Sequence, residues 1–138
     1  MSASDFLDSN VLIYAYDPKD PRKQSIAREL VEKALLGDGV VSVQVLAEFA
    51  STLLHKHRPT VLPATVREVL DAMRSISIVK PEVETVRRAV QAHEQYGVHF
   101  YDGMIIAAAE RGGCKKIWSE DLNAGQDYFG ITIENPFV

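Results

Sequence analysis

Short apolar runs rich in β-branched residues alternate along the chain with longer segments of helical periodicity. The runs "DFLDS" (5–9), "GVVSV" (39–43), "ISIVK" (76–80), "KKIWS" (115–119) and "ITI" (131–133) read as short buried strands. Asp20 as N-cap and Pro21 at the first helical position open a helix over "RKQSIARELVEKALL" that stops at Gly37. Pro63 and Pro81 sit at the starts of helical segments "ATVREVLDAMR" and "EVETVRRAVQAHEQY", the second closed by Gly97. In "SVQVLAEFASTLLHK", Leu46, Phe49, Ala50 and Leu53 form one stripe, while Gln44, Glu48, Ser51 and His55 form the opposite face. The run Met104–Ala109 is too apolar for a surface helix and reads as buried nearly all round. Strands separated by helices predict an α/β fold with a parallel sheet covered on both faces.

The chain of 138 residues fits one domain, 1–138, able to bury roughly two-thirds of the surface its unfolded form exposes. With 46% hydrophobic and 25% charged residues it has the balance of a soluble globular protein, so disorder is not expected outside the ends. Cys114 is the single cysteine and lacks a metal-ligand spacing, which points to a reducing compartment. No apolar run approaches the ~18 residues of a bilayer span, and "MSAS" lacks the features of a signal peptide. A cytoplasmic protein with no membrane partner is therefore expected. A net charge of -4 and a pI near 5.5 argue against holding nucleic acid through a general positive field. A nucleic-acid enzyme with this balance needs positive charge from another source.

Four acids stand where chemistry is expected. Asp8 interrupts the apolar text "FLDSNVLIYAYD", where a lone buried carboxylate is costly unless paired, hydrogen-bonded or metal-bound. In open α/β sheets ligands bind outside the carboxyl ends of the strands, which is where Asp8 closes the first strand, with "SN" available to cap the next helix. Asp121, in "SEDLNAG", follows the strand "KKIWS" at another carboxyl end. Asp102 begins the helix in "FYDGMIIAAAE" and reads equally well as an acid favoured by the helix dipole and unpaired N–H groups. Glu48 faces away from the core, which is compatible with solvent or with a groove.

Taken together, "FLDSNVLIYAYD", "VSVQVLAEF", "FYDGMIIAAA" and "IWSEDLNAG" resemble the PIN-domain ribonucleases, most closely the toxins of VapBC toxin–antitoxin pairs. The resemblance spans nearly the whole chain. It implies a three-layer αβα sandwich around a central parallel sheet of four to five strands. It implies that Asp8, Glu48, Asp102 and Asp121 form a catalytic cluster, with Asp8, Asp102 and Asp121 as ligands of Mg²⁺ or Mn²⁺ and Glu48 in a water-mediated or general-base role. Asn10 and Ser119 match supporting positions. Hard divalent ions suit such oxygen donors and can activate water for phosphodiester hydrolysis, which would leave a 5′-phosphate and a 3′-hydroxyl. Lys56 and Arg58 in "HKHR", with Lys19, Arg22 and Lys23, are the candidate cations for holding RNA, whereas His55, His57, His93 and His99 read as ordinary polar residues.

The implied partners are an RNA substrate, a cognate antitoxin and a second copy of the chain. One departure is "FYDG", where many relatives carry Trp and Ala in place of Tyr101 and Gly103, and Gly103 is expected to weaken the start of its helix slightly. Other readings are a PIN-fold protein-binding module or a housekeeping RNA-processing nuclease. A haloacid-dehalogenase-like phosphatase would require a second Asp where this chain has Asn10, and a phosphoacceptor receiver domain would require an acidic pair and a late Lys that are not evident.

Overall fold

The computed structural model describes residues 4–138. The elements in order are β1 (Phe6–Leu7), α1 (Ser9–Tyr16), α2 (Pro21–Leu35), β2 (Val40–Ser42) and α3 (Val43–Ser51). A π-helical turn (Thr52–Lys56), α4 (Pro63–Ala72), a 3₁₀ turn (Met73–Ser75) and β3 (Ser77–Val79) follow. The chain ends with α5 (Val83–Tyr96), α6 (Phe100–Arg111), β4 (Lys116–Trp118), β5 (Asp127–Tyr128) and β6 (Ile131–Glu134).

Each expected strand and helix is present. Asp20 caps α2 by accepting from the Lys23 N–H, with Pro21 at the first turn, and Gly97 ends α5 in the left-handed region at φ 72°. Pro81 lies just outside its helix. Glu82 is the cap there, in a reciprocal capping box with Thr85.

The sheet has six strands in the order β3-β2-β1-β4-β6-β5. All neighbouring pairs are parallel except β5 with β6, so the parallel sheet is extended by one antiparallel edge strand. β5 is two residues long within "GQDYFG", too short to leave a period-2 signal. The chain steps one way from β1 to β2 to β3 and runs back from β3 to β4, and the right-handed rule for parallel crossovers puts the helices of the two directions on opposite faces. Helices α1–α4 therefore cover one face, where α1 contacts α2 and α3, and α5 with α6 covers the other. Phe6, Leu12, Val41, Phe49, Ile106 and Ile117 are fully buried in the core between these layers.

The direction of the strand order reverses between β1 and β4, which pair through Phe6 with Ile117 and Leu7 with Trp118. That reversal is the position at which open α/β sheets build their sites.

Gly103 acquires a structural reason. It is buried, and a Cβ placed there would stand 2.7 Å from the Ala89 carbonyl oxygen of α5. Glycine is what allows α6 to approach the α5 backbone, so its modest cost in helix propensity is offset by packing.

Candidate active site

Asp8 follows β1 directly, and its N–H donates to the Trp118 carbonyl at the end of β4. It is 6% exposed and acts as the N-cap of α1, its Oδ1 accepting from the Ser9 N–H at 2.8 Å. The cap is thus Asp8 itself, and Ser9 and Asn10 are the first residues of the helix. Oδ2 of Asp8 accepts from Ser119 Oγ at 2.8 Å and from Asn10 Nδ2 at 3.5 Å. Burial pushes the Asp8 carboxyl up to about 6, against the lowering effect of the Ser119 and Ser9 hydrogen bonds, with the Glu48 and Asp121 charges adding to the rise.

Ser119, fully buried, is the hub beneath the site. Besides donating to Asp8, its Oγ accepts from the N–H groups of Asp121 and Leu122, both at 3.1 Å, which folds the loop after β4 around the hydroxyl. Asn10 ties the two strand ends together. Its Oδ1 accepts from the Glu120 N–H at 3.1 Å, which fixes the amide so that Nδ2 faces Asp8, Ser119 and Asp121 Oδ2, the last two at 3.3 Å.

Glu48 lies in a groove. Its Oε2 accepts from Ser9 Oγ at 2.9 Å and its Oε1 from Gln44 Nε2 at 2.8 Å. Gln44 also donates to the Tyr101 carbonyl at 3.1 Å, which links α3 to the first turn of α6 beside Asp102. Asp102 is not the cap of that helix, because His99 Nδ1 accepts from the Tyr101 N–H. Among the described residues no hydrogen bond reaches the Asp102 carboxylate. Its pKa is raised chiefly by partial desolvation, opposed by His99 and reinforced by the charges of Glu48 and Asp121.

Asp8, capping α1, and Asp102, on α6, therefore each feel the charges of Glu48 on α3 and Asp121 in the loop after β4. Among the described residues no three or more His, Cys, Asp or Glu side chains stand close enough together, as placed, to hold a metal ion jointly. The donor set still suits a hard divalent cation, which binds oxygen and often keeps several waters with only one or two direct carboxylates. One further observation agrees: Asp8 carries a burial penalty that its neutral donors do not cancel.

The candidate cations separate. Arg22 donates to the Phe137 carbonyl, and Lys23 pairs with Glu120 and donates to Tyr14, so both are engaged in holding the fold. Arg58 Nη1 donates to the carbonyls of His55 and His57 at 3.0 and 3.1 Å. Lys19 is exposed. Lys56 lines the acidic groove, a cavity of about 490 Å³, with Glu48 and Asp121. His57 Nδ1 contacts the Pro59 carbonyl and His93 Nδ1 the Val98 carbonyl.

Sequence reasoning missed Ser9 and Glu120. Ser9 adjoins Asp8, yet nothing local pointed it at Glu48, 39 positions away. Glu120 directs its carboxylate to Lys23 and Tyr14 rather than to the cluster. Burial opposes its ionisation, but those two hydrogen bonds outweigh it and leave its pKa lowered. Gln44 stands one helical turn before Glu48, a spacing at which a hydrogen bond was foreseeable.

The sequence profile of the PIN domain matches residues 6–126. Among curated proteins no significant sequence match is found. Solved structures share the fold at low identity. Mycobacterium tuberculosis VapC20, a toxin that cleaves the sarcin-ricin loop, is 15% identical with a TM-score of 0.65, over 86% of this chain and 90% of its own. A toxin–antitoxin complex from Klebsiella pneumoniae contains a chain 17% identical, TM-score 0.68, over 96% and 98%. VapBC2 from Rickettsia felis, bound to a promoter DNA fragment, gives 15% identity and a TM-score of 0.64 over 95% and 97%.

Proposed function

The chain belongs to the PIN-domain family, and from that premise we propose that it is a divalent-metal-dependent endoribonuclease, the toxin of a toxin–antitoxin pair. The observation that carries the reading is the linkage of acids at the reversal of strand order: Asn10 and Ser119 bridge Asp8 and Asp121, Ser9 reaches Glu48, and Asp102 stands near enough to feel the charges of Glu48 and Asp121. Asp8, Asp102 and Asp121 are the residues that would hold Mg²⁺ or Mn²⁺, with Glu48 acting through water or as general base. The ion, when bound, supplies a lowered water pKa and compensates negative charge on phosphate.

The protein's own groups do the rest. Ser119 and Asn10 hold Asp8 and Asp121 in place across the two strand ends, and Ser9 and Gln44 hold both oxygens of Glu48. An acidic chain can bind RNA in this way because attraction is concentrated at the metal and at a few local cations.

The toxin reading is supported by the structural neighbours, which include toxin–antitoxin complexes. It brings with it an antitoxin partner and a homodimer. An apolar groove of about 370 Å³ among α1–α4, lined by Leu12, Tyr16, Val31, Phe49, Val69 and Met73, suits an amphipathic antitoxin segment. No described helix is long and apolar enough to cross a membrane. The test is RNA cleavage with Mn²⁺ or Mg²⁺ against EDTA, using the wild type and Asp102→Asn, with the cut ends mapped. Cleavage that needs the metal and Asp102 and leaves 5′-phosphate ends supports the proposal. Cleavage that survives EDTA overturns it.

A further inference from the structure

Periodicity places His55, seven residues after Glu48, on the Glu48 face of a regular α-helix, and turns Lys56 away from that face by about 80°. The observed turn differs. From Thr52 to Lys56 the helix widens to π geometry, closed by the His57 N–H on the Thr52 carbonyl at 2.8 Å. A π turn takes up an extra residue, so each residue rotates less and the position following His55 comes round into line. Lys56, and not His55, consequently lines the groove with Ser9, Glu48, Ser51, Thr52 and Asp121.

Two further features maintain this arrangement. Arg58 Nη1 holds the carbonyls of His55 and His57, and the Val61 N–H donates to the Leu53 carbonyl, so the end of the turn is tied down. Among the described residues Lys56 takes part in no ion pair, although it shares a groove with two acids. Lys56 is exposed and lines the same groove as Ser51 and Thr52, and an ammonium with hydroxyls in one groove is a donor set for one phosphate group.

We infer that Lys56, delivered by the π turn, binds the RNA backbone phosphate next to the one being cut, with Ser51 and Thr52 completing the subsite. Arg58 shapes the turn and does not touch RNA. The inference rests on the ribonuclease reading and adds the path of the substrate: the strand leaves the acids along the cleft between α1 and α3.

The experiment compares wild type, Lys56→Met, Lys56→Arg and Lys33→Met, the last an exposed lysine on α2. Steady-state cleavage of a labelled single-stranded oligoribonucleotide with Mn²⁺ is measured over a range of salt concentration, alongside the Mn²⁺ dependence of the thermal midpoint without RNA. Lys56→Met is expected to raise KM about tenfold, the equivalent of one charge-assisted hydrogen bond, and to leave kcat within about twofold. It should also flatten the slope of log (kcat/KM) against log salt by about 0.7, as for one lost contact to a single strand. Lys56→Arg restores the slope and Lys33→Met changes neither quantity. If wild type cuts RNA but Lys56→Met behaves as Lys33→Met, the subsite is wrong and the nuclease reading stands. If Lys56→Met shifts the Mn²⁺ response of the thermal midpoint and leaves KM unchanged, Lys56 serves the acids and the inference fails. If wild type cuts no RNA, the functional reading fails and this inference with it.

Discussion

Asp8 and Asp102 are the same side chain at the start of a helix, one buried at the strand ends with Ser9 and Asn10, the floor, and the other exposed within reach of the Glu48 and Asp121 charges, the rim. Asp8 is buried and accepts from Ser9, Asn10 and Ser119, so its position is fixed by the ends of β1 and β4 whether or not anything is bound. Asp102 is exposed as a residue and has no described donor. It is placed by the packing of α6 alone. Desolvation leads the upward pKa shift in both, but on the floor it wins against two donors, whereas on the rim it meets only His99. The floor is a finished network with too much negative charge. On the proposed reading, the rim carboxylate is the ligand that would gain a partner when a cation binds.

The largest effect expected from this contrast concerns Asp8. In the metal-free protein the native state holds the Asp8 proton up to about pH 6, while the unfolded chain releases it near 3.8. The native state therefore binds more protons in that interval, and stability falls as pH rises through it, then levels off. At about 1.4 kcal/mol per pH unit, Asp8 costs on the order of 3 kcal/mol at neutral pH. Asp8→Asn should abolish cleavage and also remove this contribution to the pH slope, seen as the difference between the variant and wild type in urea unfolding with EDTA at acid and neutral pH. Equal slopes would mean that the floor carries no excess charge.

Ser119→Ala comes next, because it leaves the Asp8 Oδ2 atom without its shortest donor and the N–H groups of Asp121 and Leu122 without their acceptor. A loss of about 2 kcal/mol of stability is expected, with metal affinity lower by about 10- to 100-fold. Chemical unfolding and Mn²⁺ titration measure the two. Unchanged affinity would show that the Ser119 network does not position Asp8 and Asp121 for the cation.

Gly103→Ala perturbs the rim alone. Its methyl group would meet the Ala89 carbonyl at 2.7 Å and force α6 from α5, carrying Asp102 with it. Overpacking of about 1 to 3 kcal/mol outweighs the gain of about 1 kcal/mol in helix propensity. Activity should fall while the Asp8 contribution to the pH slope persists, and a net rise in thermal midpoint would refute the close approach.

The sequence carried the floor more clearly than the rim. Strand runs at "DFLDS" and "KKIWS" and the rule for open sheets brought Asp8 and Asp121 to neighbouring strand ends, and the sheet order places them there. Asp102 and Glu48 were not separable from a helix-dipole acid and a solvent-facing acid by periodicity, and entered through the family resemblance. What was illegible depends on contacts far apart in sequence or on broken periodicity. The Lys23 pair with Glu120 spans 97 positions, and the approach of α6 to Ala89 is set by tertiary packing. The π turn removed the regular helical spacing that would have aligned His55 with Glu48, so the cation lining the groove is Lys56. β5 is too short to register as a pattern.

Calorimetric titration of the protein with Mn²⁺ at neutral pH, comparing wild type with Asp8→Asn and Asp102→Asn, tests most directly whether floor and rim share one cation. The account predicts binding by the wild type and at least about tenfold weaker binding after either substitution, since each removes a carboxylate ligand. Affinity unchanged by the loss of either acid would contradict it.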